Sequence, residues 1–230
     1  MKSTDRRAPA AAAAEPASLL APGRFVDCDH PDVVAYARAA AGDAATERER
    51  AARLFRAVRD GFRYDPYTFS LDPADYRASV IVHRAATFCV PKAIVLCAGA
   101  RALGIPARLG FADVRNHLQG ARLRRLMGTD VFAFHGFAEL YLGGRWLKAA
   151  PAFNAELCRR FGVPPLEFDG RSDALLQQHT PDGRQYMEYV RQRGSHADLP
   201  FDEMVAAFRE IYGSLAALGE GVHDEVFHNA

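Results

Sequence analysis

The chain has 230 residues, of which 49% are hydrophobic and 25% charged, enough for one sizeable core in an ordinary globular composition. A net charge of +1 excludes the strongly basic footprint of a nucleic-acid or anionic-membrane binder. The four cysteines, at positions 28, 89, 97 and 158, form no C-x-x-C pair and no close Cys/His spacing. This argues against a structural zinc or a disulfide framework, so reduced thiols and no metal or cofactor are expected.

Residues 1–22 read as an Ala/Pro-rich flexible tail, because Pro9, Glu15 and Pro16 bracket the alanine run and leave no apolar signal core. No window approaches the ~18 apolar residues of a membrane span, and a cytoplasmic location is expected. Asp32 to Ala41 predicts a helix stopped at Gly42. Thr46 and Glu49 then form a T-x-x-E capping box for a second helix, with Ala51, Leu54, Phe55 and Val58 on one face and Gly61 at its end. Phe62, Tyr64, Pro66 and Tyr67 read as an extended link contributing core and pocket wall. Asp72-Pro73 marks a turn, Ser79 to His83 a short helical turn, and His83 is taken as structural.

The stretch from Thr87 to Phe111 organises the rest. Pro91 suits a first helical turn, Gly104 the left-handed position past the end, and Pro106 forbids continuation. Ala93, Ile94, Leu96, Cys97, Ala100 and Leu103 make this helix mostly buried, with Lys92 and Arg101 expected to reach solvent. Beyond it, Ala107 to Ala112 predicts a strand, Asp113 to His117 a polar loop, and Gln119 to Gly128 an exposed helix carrying Arg122, Arg124 and Arg125. From Val131 to Phe153, Val, Phe, Tyr and Leu enrichment around Gly143-Gly144 predicts a β-hairpin. Its first strand places His135, Phe137, Glu139 and Tyr141 on one face. Further on, helices are predicted near Arg184 to Arg191 and Asp202 to Tyr212, in a region that packs on the core or covers one side of a cleft.

Cys89 stands at the amino end of the Pro91 helix, where unpaired N–H groups and the positive dipole end favour thiolate over thiol. His135 follows 46 residues later on a strand. A helix-borne cysteine with a strand-borne histidine is the layout of thiol acyl transfer, with imidazole taking the thiol proton and the helix end stabilising the oxyanion. No ligand spacing supports the alternative of a metal held by Cys89, His135 and Asp113.

Two strings carry a family resemblance: C-x-x-K-A-x-x-L-x-A-x-x-R-A-x-G-I-P-A-R, from Cys89 to Arg108, and H-x-x-x-E-x-x-x-x-G-x-W, from His135 to Trp146. With them the chain resembles the transglutaminase-like superfamily over about residues 55–154. The resemblance implies a papain-like α+β fold, a catalytic core over residues 23–154 and a C-terminal helical extension over 155–230. It also implies Cys89 as nucleophile, His135 as general base and acid, and a small-molecule, peptide or protein amide as substrate. The family's W-x-x-x-D-P reads here Trp146-Leu-Lys-Ala-Ala150-Pro151, so Ala150 stands where an aspartate would orient His135. Asn154, Asp113 or Glu139 are the candidates to replace it. Without such a group, the alternative is a degenerate, non-catalytic binding protein.

Overall fold

The computed structural model describes residues 16–119, 124–125 and 127–212. Most of the expected 1–22 tail and half of the expected 119–128 helix lie outside these residues. Helix α1 spans Pro31–Ala41 and α2 spans Glu47–Gly61. The α2 box forms as read: Glu49 N–H donates to Thr46 Oγ1 at 3.2 Å while Glu49 Oε2 accepts the Thr46 N–H at 3.0 Å. Strand β1 (Arg63–Tyr64) and β2 (Ala86–Thr87) form a two-stranded parallel pair that brings the chain to α4, Cys89–Ala102, past the short α3, Ala78–Ile81.

Every α4 residue from Cys89 to Arg101 is buried, because α1 and α2 pack on one side of it and a sheet on the other. A helix apolar all round has no face left for water. The sheet is antiparallel, in the order β5-β4-β3-β6, built from β3 (Ala107–Asn116), β4 (Val131–Leu142), β5 (Arg145–Ala149) and β6 (Met187–His196). The β4–β5 turn uses Gly143 and Gly144 at φ 59° and 83°, the left-handed pair that a two-residue hairpin requires. Helix α5 covers Ala155–Arg160 and α6 covers Phe201–Tyr212. No described helix is long and apolar enough to cross a membrane.

Three readings of the sequence are corrected. The segment read as a helix near Arg184 to Arg191 is mostly the edge strand β6, paired with β3 from Asn116↔Met187 to Leu109↔His196 across two bulges. Asp113, Arg115 and Asn116 belong to β3 rather than to a loop, since β6 and β4 supply partners on both sides. Lys92 and Arg101 do not reach solvent. Lys92 Nζ donates to Arg59 O, Phe62 O and Ala152 O at 2.7–2.9 Å. Arg101 donates to Ala107 O, Ala21 O and Ala197 O. Lys92 directs all three of its donors to backbone carbonyls and Arg101 reaches three more, so both tie α4 to other parts of the chain.

Candidate functional site

Cys89 is the first residue of α4 and is preceded by Phe88, whose side chain offers nothing to cap the first-turn N–H groups. The helix rests on β4 at Gly136, where an added Cβ would stand 2.9 Å from Val90 Cα. Only a residue without a side chain lets strand and helix approach this closely. Cys89 therefore lies against the His135–Gly136 peptide. Burial pushes its thiol up to about 11, while the backbone N–H groups of Gly136, Val90 and Cys89 and the Lys92 ammonium pull the other way. The expected helix-end activation is present, but loss of solvent outweighs it in the free protein.

His135 lies in β4 directly opposite Ala112 of β3, and opposed residues share a face. Ala112 packs with Phe137 and Ala150, so the position where an aspartate would orient the imidazole is an apolar cluster. The ring meets Tyr189 of β6 edge-on, with centroids 6.2 Å apart. Nε2 is buried and makes no hydrogen bond with any described residue. Burial depresses the imidazole to about 4, so it is neutral at pH 7.

None of the three substitutes for the missing aspartate reaches this ring. Asn154 caps the start of α5 in position, and its Oδ1 accepts the Tyr64 N–H at 3.0 Å. Glu139 pairs with Arg108 at 2.5 Å. Asp113 takes Arg193 on both oxygens, at 2.5 and 2.9 Å, and its Oδ1 also accepts the Phe134 N–H at 3.0 Å. That last bond matters because Phe134, immediately before His135, has φ 56°, a left-handed conformation costing an aromatic residue about 1–3 kcal/mol. Arg193 also stacks over the Phe134 ring at 5.0 Å. Asp113 and Arg193 thus hold the strained backbone that sets the direction of His135.

Cys89 opens on a recess of about 60 Å³ lined by Tyr64, Pro66, Tyr67, Phe69, Phe88, Met127, Phe132, Ala133, Phe208 and Tyr212. The wall reading of Tyr64 and Tyr67 matches this lining. The α6 residues Phe208 and Tyr212 complete the wall, which joins the C-terminal segment to the cleft. Tyr212 Oη is fixed by the Ala133 N–H at 2.6 Å. Sequence reasoning missed Tyr189 and Tyr212 as neighbours of the site, since their proximity comes from β6 and α6 packing across long sequence separations.

The transglutaminase-like superfamily model matches residues 34–151. No curated protein matches the chain. Among solved structures, a proposed cysteine protease from Cytophaga hutchinsonii is 20% identical at a TM-score of 0.45, covering 58% of this chain and 40% of that one. A proposed protease from Parabacteroides distasonis is 15% identical at a TM-score of 0.37, covering 59% of this chain and 26% of that one. The chain thus spans less than half the length of either neighbour.

Proposed function

The chain belongs to the transglutaminase-like superfamily, and from that premise we propose that it is a cysteine-dependent enzyme acting on amides or thioesters through an acyl-enzyme. Cys89 is the nucleophile and His135 the general base and acid. The observation that carries this reading is a thiol at an uncapped helix amino end, beside a recess and against the peptide that follows a buried imidazole with no partner on Nε2.

In this mechanism the thiol proton passes to the His135 imidazole as sulfur attacks the carbonyl carbon. The Cys89 and Val90 N–H groups face the developing oxyanion, and the departing amine or thiol recovers the proton from His135. Water or an amine then attacks the thioester with His135 again as base, giving hydrolysis or transamidation. Because the free thiol is held high and the imidazole low, proton transfer accompanies substrate binding rather than preceding it.

The experiment is incubation with a panel of acyl thioesters and amides, reading turnover and acyl adducts by mass spectrometry in wild type and Cys89→Ala. An adduct on Cys89 with turnover lost in the variant is expected. Turnover unchanged in Cys89→Ala would remove the reading. A second reading, a binding protein that keeps the fold without turnover, is favoured by Ala150 and by the absence of an orienting acceptor on His135 among the described residues. It predicts specific ligands and no adduct.

A further inference from the structure

The recess beside Cys89 has a composition that restricts what can occupy it. Its walls carry aromatic rings, Pro66, Met127 and Ala133, and among the described residues no charged side chain lines it. The wall is locked on itself: Phe69 meets Phe208 edge-on at 5.2 Å, and Phe208 meets Tyr212 at 5.5 Å. Tyr212 is tied in turn to the start of β4 through the Ala133 N–H. An anionic or strongly hydrated group placed deep in it would lose its water with no charged side chain among the described residues to replace it. An apolar group gains by leaving water, about 0.8 kcal/mol or fourfold per methylene.

Size sets the second limit. The space is about 60 Å³. An engineered apolar cavity that takes up benzene measures about 150 Å³. An unbranched chain of about two to four carbons fits, whereas a ring requires the wall to give, and Phe208 stands in that wall between Phe69 and Tyr212.

We infer that this recess is the acyl subsite of the enzyme, selecting a short, uncharged, unbranched aliphatic acyl group, with Phe208 of α6 setting the length limit. The inference rests on Cys89 being the nucleophile, because only then does the acyl carbon lie at the mouth of the recess. Phe208 is a specificity-determining residue and touches no reacting atom.

The first test needs no turnover. Wild type is treated with methyl, propyl, benzyl and sulfonatoethyl methanethiosulfonates, in which the Cys89 thiolate attacks the sulfenyl sulfur, forms a disulfide and expels methanesulfinate. Rates on the Cys89 peptide are read by mass spectrometry and divided by those of free cysteine. The expected order rises from methyl to propyl by about fifteenfold, drops at benzyl and is lowest for sulfonatoethyl. Phe208→Leu, a milder change than truncation to alanine, moves the optimum toward benzyl.

A flat series, or sulfonatoethyl equal to propyl, overturns the inference. The same variants are then compared on acetyl, butyryl, octanoyl and succinyl thioesters. Turnover that needs Cys89 but ignores chain length and charge overturns the subsite and leaves the nucleophile standing. Length-selective labelling with turnover unaffected by Cys89→Ala overturns the nucleophile, and with it the acyl role of the recess.

Discussion

Gly136 of β4 lies flush on Val90 of α4, so close that a methyl group on Gly136 would stand 2.9 Å from the Val90 Cα. The contact fixes the sulfur of Cys89 against the backbone that carries His135. Gly136→Ala has to push strand and helix apart, because the obstructing atom is backbone and cannot rotate away. The expected cost is about 1–3 kcal/mol in denaturant unfolding. Moving the Gly136 N–H away from sulfur also raises the thiol further, so Cys89 alkylation at a fixed alkaline pH slows. Unchanged stability and unchanged labelling would contradict the contact.

The resting state of the two groups is also testable. With the thiol held at about 11 and the imidazole at about 4, Cys89 rests as a neutral thiol and His135 as a neutral ring. Iodoacetamide labelling of Cys89 is therefore expected to be slow at pH 6, to rise through pH 9, and to be little changed at pH 6 by His135→Ala. Fast, His135-dependent labelling at pH 6 would instead reveal a preformed thiolate–imidazolium pair. His135 contributes to stability with a definite sign. Its folded value lies below the ordinary ~6.5, so the unfolded chain binds more protons between about pH 4 and 6.5, and stability rises with pH across that window. His135→Phe flattens this slope.

Lys92 gives an independent pH signature. Burial lowers its ammonium to about 7, with Asp60 opposing, whereas the unfolded side chain titrates near 10.5. Between those values the unfolded chain holds the extra proton, so stability rises with pH from about 7 upward and is flat below. The buried Cys89 and Cys97 thiols, held at about 11 and 12, act in the opposite sense above about pH 8.5. The comparison is therefore made between about pH 6.5 and 8.5. Lys92→Met loses the slope and also orphans the carbonyls of Arg59, Phe62 and Ala152, for an expected loss of several kcal/mol at about 1–3 each. A wild-type slope retained in Lys92→Met would show that other groups produce it.

Elements whose signals are local were legible in the sequence. The Thr46/Glu49 box, the Gly143-Gly144 turn and the Pro91-to-Gly104 bounds of α4 each state their structure within a few residues. Strand β6 was not legible, because Glu188, Arg191, Gln192 and Arg193 give neither period, and the open edge of β3 decides their state. Lys92 and Arg101 misled for a related reason: their acceptors come from residues up to 96 positions away. In the candidate site, the motif placed Cys89 on its helix and His135 on its strand. The use of Asn154 by Tyr64 N–H depends on how β1 meets the start of α5, which no short string records.

The departure at Ala150 leads to the sharpest prediction. Ala150 packs with Ala112 and Phe137, and Ala112 is the cross-strand partner of His135, so a carboxylate at position 150 enters on the face that bears the imidazole. Nε2 of the ring now has no hydrogen-bond partner among the described residues. Ala150→Asp is expected to hold the ring by one of its N–H groups, to raise the imidazole from about 4 toward the ordinary range, and to favour the imidazolium that forms as sulfur attacks. Turnover on any Cys89-dependent substrate then rises, by roughly ten- to a thousandfold, given that disabling such a partner elsewhere costs about ten-thousandfold. The same change buries a charge among apolar side chains, so stability falls by about 1–3 kcal/mol and falls most where the carboxylate is ionised and His135 neutral. The readouts are kcat with its pH profile and the His135 titration by NMR. A gain in turnover with an upward imidazole shift would mean that the chain lost an orienting group and kept the rest of the machinery. No gain despite that shift would mean that Cys89, the recess and His135 are no longer arranged for acyl transfer, which favours the binding-protein reading.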